Sequence, residues 1–334
     1  MEWRICGSSD LELPLLGVGV WSFGGESDDY WGVQSERDAD AVVGRAVELG
    51  CAYFDTAEVY NDGASERALG KLLKGRRDKV AVGTKVSPDN VAPATLREHC
   101  EGSLARLQTD YVDLYMVHWP IPSPGVADAF ATLAELRDEG RIRHIGISNF
   151  GVEQMAEVLA TGAQIAVNQL GYSLLTRAIE LEIVPFCQES GIGIMTYMPL
   201  MQGILTGKYR SADDVPKERA RSRHFSAGRE GSRHGEPGVE KQMFAALDGL
   251  RAMSQETDIP MADLALAWCA SNPTVSCVLA GARNVQQLEE NARGVSTKLS
   301  DEMVRRLNTA SDPVMQGMGP NPDMWQGGER RRIR

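Results

Sequence analysis

The stretch Val112-Asp113-Leu114-Tyr115-Met116-Val117, followed at once by His118-Trp119-Pro120, decides how this chain folds. It is a short and nearly unbroken apolar run, too short for a core helix and too apolar for a strand with one wet face. It suits a parallel strand covered on both sides, with its last turn delivering a histidine. The pattern Val126 to Glu139 after it has helical period, and the same alternation extends in both directions. Upstream, strands are expected at 15–20, 52–54 and 80–84, with helices at 38–49, 65–74 and 94–106. Downstream, strands are expected at 143–147, 164–168, 192–196 and 276–280. Helices are expected there at 151–160, 177–189, 238–256 and 261–270. Eight such βα units close most naturally as an α/β (β/α)8 TIM barrel. A doubly wound sheet is disfavoured. Gly17-Val18-Gly19 lies inside the first strand and lacks the third glycine of a dinucleotide fingerprint.

Outside the repeat, residues 2–6 and 11–14 flank Gly7-Ser8-Ser9-Asp10 and predict an N-terminal β-hairpin. Residues 210–237 form a long basic loop, with Lys217, Arg219, Arg221, Arg223, Arg229 and Arg233 among glycines and serines. A mobile, solvated loop is the plainer expectation for it. The tail 311–334 has no helical period and is expected to pack over the barrel mouth or to be partly disordered. The whole of 1–334 reads as one barrel domain.

A formal net charge of -11 argues against a nucleic-acid partner. No stretch approaches a membrane-spanning length and no apolar leader opens the chain, so a cytoplasmic location and no membrane contact are expected. The six cysteines form no C-x-x-C pair and read as reduced core thiols, and no metal site is expected. A homo-oligomer is compatible with all of this.

Asp55, Lys85 and His118 fall at the ends of successive expected strands, where a barrel keeps its chemistry, and Tyr60 follows Asp55 by five residues. Any one of them alone has an ordinary structural explanation: a helix cap, packing, a snorkelling lysine, a satisfied histidine. Together they suit reduction of a carbonyl. Tyr60 would give the proton, its phenol pKa lowered by a neighbouring Lys85, and Asp55 would hold the ammonium. His118 would orient the substrate oxygen. A lyase or isomerase could use the same lysine as a Schiff base, and the residues alone do not decide between these.

Seven segments settle the resemblance: Phe54 to Tyr60, Gly83 to Lys85, Val117 to Pro120, Ile145 to Phe150, Asn168 to Tyr172, Thr196 to Tyr209 and Gly281 to Asn291. On these the chain resembles the aldo-keto reductase superfamily over essentially its whole length. The resemblance implies an oxidoreductase using NADP(H), or less often NAD(H), on a small carbonyl or its alcohol, with Asp55, Tyr60, Lys85 and His118 as catalytic tetrad. It implies that Ser148, Asn149 and Gln169 hold the nicotinamide carboxamide and that Tyr197 stacks on the ring. Pro199, Leu200, Gln202, Gly203, Leu205, Gly207 and Lys208 would wrap the pyrophosphate. Gly281, Arg283, Gln287 and Asn291 would hold the adenosine end, with Arg283 and the loop arginines meeting a 2′-phosphate. Met198 and Met201 depart from the family's usual serine and small residue. The resemblance extends to potassium-channel β subunits, so a cofactor-sensing regulatory role is a second expectation. For the substrate wall, Trp21, Tyr30, Trp31 and Trp119 are candidates, with Phe23 beside them. Glu26, Asp28 and Asp29 could bind hydroxyls of a sugar-like carbonyl, though the aromatic wall suits aromatic aldehydes nearly as well.

Overall fold

The computed structural model describes residues 1–25, 33–122 and 124–334. Tyr30, Trp31, Glu26, Asp28 and Asp29 therefore lie outside the described residues.

Strands β1 (Trp3–Ile5) and β2 (Glu12–Pro14) pair antiparallel, as the hairpin. Eight parallel strands then close a barrel: β3 (Leu16–Gly19), β4 (Tyr53–Asp55), β5 (Ala81–Val86), β6 (Val112–Val117), β7 (Ile142–Ser148), β8 (Val167–Gly171), β9 (Gly193–Tyr197) and β10 (Val275–Ala280). β10 pairs with β3 and completes the ring. Helices α1 (Glu36–Leu49), α2 (Ala64–Leu72), α3 (Pro93–Leu107), α4 (Val126–Asp138), α5 (Val152–Ala160) and α6 (Ile183–Ser190) cover its outside. The ring is completed by α7 (Glu240–Thr257), α8 (Met261–Ser271), α9 (Val285–Ser296) and α10 (Asp301–Met318).

Local chemistry sets these boundaries. Ser35 caps α1 by accepting from the Asp38 N–H, and Gly50 closes it in the left-handed region at φ 73°. Asn284 and Ser300 cap α9 and α10 in the same way. Inside the barrel, Gly83 leaves room for the Tyr53 ring, because a Cβ there would lie 2.1 Å from the phenol oxygen. The hairpin's Cys6, Leu11 and Leu13 pack against Tyr53, Leu114, Met116 and Leu279, so the hairpin plugs the N-terminal end of the barrel. That leaves the C-terminal end open for a site. All six cysteines are buried and free. Among the described residues no helix is long and apolar enough to cross a membrane.

Four expectations need correction. The expected helix at 177–189 begins only at Ile183, after a separate turn at Ala178–Glu180, because Pro185 has no N–H and fits only the first turn of a helix. The strand expected at 164–168 is shifted to Val167–Gly171, carrying polar Asn168 and Gln169 into the barrel wall. Both amides find partners there: Asn168 Nδ2 donates to Phe150 O at 2.8 Å and Gln169 Nε2 to Asp55 Oδ2 at 2.8 Å. Residues 311–318 are not irregular tail but the end of α10, whose buried Leu307, Val314 and Met318 share one face despite Pro313 within the helix. Finally, 210–237 is exposed toward both ends but is not solvated throughout. It has little regular structure, yet Arg223, His224 and Phe225 are all buried.

Candidate active site

A cleft of about 700 Å3 opens at the C-terminal end of the barrel. Asp55 ends β4, Lys85 lies one residue inside the end of β5, and His118 follows β6 directly. Tyr60 stands on the turn after β4. The carbonyl of Lys85 accepts from the Glu58 N–H, and the Glu58 carboxylate takes the Ser87 N–H at 2.8 Å, Asn90 Nδ2 at 3.0 Å and His99 Nδ1 at 2.7 Å. Glu58 thus pins the Tyr60 turn to the next loop. The sequence reading passed it over, although it lies inside the segment from Phe54 to Tyr60.

The structure brings the four expected residues together. Lys85 is fully buried, and its Nζ donates to Asp55 Oδ1 at 2.6 Å and to the Thr56 carbonyl at 2.7 Å. It stands 5.0 Å from the centroid of the Tyr60 ring, and the Tyr60 and His118 rings meet edge to face at 5.6 Å. Burial holds the Lys85 ammonium below the usual lysine range, with Asp55 opposing that shift. His118 is pushed down to about 3, first by burial and then by the Lys85 charge, so its imidazole is neutral at any ordinary pH. The Tyr60 phenol is pushed up, not down, by burial and by the Asp55 carboxylate. The expectation that Lys85 lowers the phenol pKa is therefore overturned for this state: burial dominates, and the Asp55 carboxylate adds to it. A sealed lysine with two strong acceptors also has no open route to a carbonyl carbon, which removes the geometric basis for a Schiff-base reading.

From Tyr60 the cleft runs past Ser148, Asn149 and Gln169, across Tyr197 and along Pro199, Leu200, Gln202, Gly203 and Lys208. It continues to Gly281, Arg283, Gln287 and Asn291. Two expected residues stand off it: Leu205 is fully buried in the core, and Gly207 packs against the sulfur of Met261. Ser148 Oγ donates to the Gln169 carbonyl at 3.0 Å, and Tyr197 OH donates to Asn149 Oδ1 at 2.8 Å. The Asn149 backbone is left-handed, at φ 66°. Met198 and Met201, the two departures from the family pattern, are also left-handed, at φ 56° and 45°. Met198 lines the cleft, whereas Met201 is buried in the core. Thr206, Arg219, Asp263, Glu290 and Trp325 join the lining unforeseen. The basic segment had hinted at Arg219 and the expected tail over the barrel mouth at Trp325; nothing pointed to the other three.

Of the loop cations, Lys217 pairs with Glu230, Arg229 with Asp213 and Glu240, and Arg223 with Glu236. Arg219 is the one of the loop arginines that reaches the cleft wall among the described residues. On the opposite side, Trp21 stacks on Tyr60 at 4.9 Å and 13°, and Asn61 Nδ2 holds the Trp21 carbonyl at 2.8 Å. Trp119 lines the cleft as expected, whereas Phe23 is a core residue.

The residues present fit a dinucleotide. Cation-bearing Lys208, Arg219 and Arg283 line one arm, Gly19 has open space where a Cβ would point, and amide groups stand beside the tetrad. Comparison with known proteins agrees. The model of the Aldo/keto reductase family matches residues 15–312. The chain belongs to the aldo/keto reductase family. It is 31% identical over 336 residues to the aldo-keto reductase YhdN of Bacillus subtilis, covering 94% of this chain and 96% of that protein. It is 32% identical over 319 residues to the NADH-specific methylglyoxal reductase of Escherichia coli, covering 88% and 94%. An aldo-keto reductase from Klebsiella pneumoniae solved in complex with NADPH superposes with a TM-score of 0.73 at 27% identity, covering 96% of this chain and 99% of that one. As an aldo-keto reductase, the chain is an oxidoreductase.

Proposed function

We propose that this aldo-keto reductase reduces a small aldehyde or ketone to its alcohol, or runs the reverse, with NADP(H) and with Tyr60 as the proton donor. The observation that carries this reading is the meeting of Tyr60 and His118 above a buried Lys85–Asp55 pair, at one end of a cleft long enough for a dinucleotide. When bound, the nicotinamide supplies the hydride, or takes it in oxidation. His118, neutral and held by its backbone N–H on the Val86 carbonyl, orients the carbonyl oxygen by hydrogen bonding. As charge develops on that oxygen, the Tyr60 O–H bond breaks and a new O–H bond forms on the product. The tyrosinate left behind is stabilised by the nearby Lys85 ammonium, so Lys85 acts on the transition state rather than on the resting phenol. Asp55 keeps the ammonium charged in a dry place. Trp21, Trp119 and Trp325 wall the reacting end and favour compact, partly apolar carbonyls.

The relatives point to either coenzyme, since one is NADH-specific and another was solved with NADPH. Arg283, Lys208 and Arg219 on the cleft wall favour NADP(H), because a guanidinium can bond a 2′-phosphate with two parallel N–H groups. A screen of small aldehydes, ketones and alcohols at 340 nm, in both directions and with each coenzyme, tests the reading. Turnover fastest with NADPH is expected. Tight coenzyme binding with negligible turnover over the whole panel would contradict it.

A further inference from the structure

Arg223 lies in the basic segment 210–237 but faces away from the cleft, and it is 3% exposed. Its Nε donates to Glu236 Oε2 at 2.7 Å. Its Nη1 donates to the carbonyls of Asn321 at 2.9 Å and Asp323 at 3.1 Å, and its Nη2 to that of Met318 at 2.8 Å. Its own backbone N–H donates to the Met324 carbonyl at 2.8 Å. A single side chain of one surface segment therefore organises the turn with which the other segment leaves α10. Only a planar fork with several donors can do this, and a lysine ammonium in the same place could not reach all these acceptors at once.

What Arg223 holds is the start of the tail that walls the substrate end. Directly after Asp323 and Met324 comes Trp325, which lines the cleft. The fully buried Asp323 accepts from the backbone N–H of Trp325 at 3.0 Å and from Arg332 Nε at 2.9 Å. Arg332 in turn lies 3.5 Å from the ring centroid of Trp119, which also lines the cleft. The segment that carries Arg223 also carries Arg219, four residues earlier, on the dinucleotide arm of the same cleft. The Arg223 guanidinium thus bonds the substrate-side tail from a segment that reaches the coenzyme arm four residues earlier.

We infer that Arg223 is a positioning residue for the substrate mouth: it transmits the state of the coenzyme-side segment to the tail, so that a filled dinucleotide arm steadies Trp325 and Trp119. This rests on the dinucleotide reading above. It assigns the residue no contact with coenzyme or substrate. Because the links are hydrogen bonds to carbonyls that water can also serve, the tail opens locally when they are lost, without global unfolding.

Limited trypsin digestion of the full chain with and without NADP+ tests this, with fragments assigned by mass. In the wild type, NADP+ slows cleavage both in the segment, at Arg219 to Arg233, and in the tail, at Arg330 to Arg332. In Arg223→Lys, the segment remains protected by NADP+. Tail cleavage is faster by about tenfold, as for the loss of a charged hydrogen bond, and no longer responds to NADP+. The same variant raises KM for the carbonyl several-fold while kcat and coenzyme affinity change little, a split that general destabilisation would not produce. Hydrogen exchange of the wild type provides the version that needs no variant: NADP+ slows exchange at 321–326 together with 219–225. Protection of the segment but not of the tail in the wild type would overturn the coupling while leaving the dinucleotide reading intact. So would an Arg223→Lys variant with wild-type tail behaviour, or one in which both regions lose protection together. Absence of NADP+ protection anywhere would overturn the dinucleotide reading, and the coupling with it.

Discussion

Lys85 and Asp55 form a buried pair, and a pair of this kind is costly to break on one side only. Lys85→Met should therefore do two separable things. It should lower kcat by about 10²–10⁴, the range for a disabled acid–base step. It should also destabilise the fold by about 3–5 kcal/mol, because it strands the Asp55 carboxylate. Adding Asp55→Asn should recover part of that stability and none of the turnover, as read by urea unfolding beside initial rates. Full stability in the single variant would show that the pair is not buried as described. His118 gives a second test. Its folded pKa of about 3 lies below the ordinary histidine value, so between these the unfolded chain binds a proton that the native state refuses. Stability should then be fully present above the unfolded value and fall as pH drops toward 3. The ring should show no titration between pH 5 and 8 by NMR. A His118 midpoint near 6.5 would contradict its neutral, buried role. The four residues were legible in the sequence because Asp55, Lys85 and His118 sit at the ends of apolar runs and Tyr60 follows Asp55 within the segment that carries the family resemblance. Their electrostatics were not legible: the upward direction of the Tyr60 shift comes first from burial and then from the nearby Asp55 carboxylate, neither of which the sequence displays.

Among elements, strands and amphipathic helices were readable wherever apolar period was uninterrupted, as in β6 and α4. Reading failed where side-chain partners overrode local pattern. The expected strand stopped at Asn168 because a second amide, Gln169, looks like a loop residue until Phe150 O and Asp55 are seen to satisfy both amides inside β8. Pro313 looks like a helix breaker, yet α10 runs through it because Leu307, Val314 and Met318 bury one face. The useful truncation point therefore lies beyond α10. Ending the chain after Gly319 should alter substrate selectivity, since it removes Trp325 and Arg332, and should leave coenzyme affinity within a few fold. Unchanged selectivity across an aldehyde panel would remove the tail from the substrate wall. Arg283 belongs to the loop before α9, where its backbone N–H donates to Gln287 Oε1 at 2.9 Å. Arg283→Ala should weaken NADPH more than NADH by about 1–3 kcal/mol, as for charge-assisted hydrogen bonds, in fluorescence titrations. Equal weakening of both would mean that Arg283 does not read the 2′-phosphate.

At the scale of the whole molecule, the barrel has a polarity that accounts for where chemistry can occur. The hairpin closes the N-terminal end with apolar side chains. The C-terminal end collects the strand ends, the 210–237 segment and the tail around one cleft. The central claim is that Tyr60 delivers a proton at that cleft to a carbonyl reduced by NADPH. The measurement that tests it most directly is the single-turnover rate of NADPH oxidation by Tyr60→Phe beside the wild type, with a small aldehyde from the 340 nm screen and coenzyme affinity measured on both. The account predicts coenzyme affinity within a few fold and a rate lower by about 10²–10⁴. A variant that binds NADPH normally and turns over at the wild-type rate would contradict it.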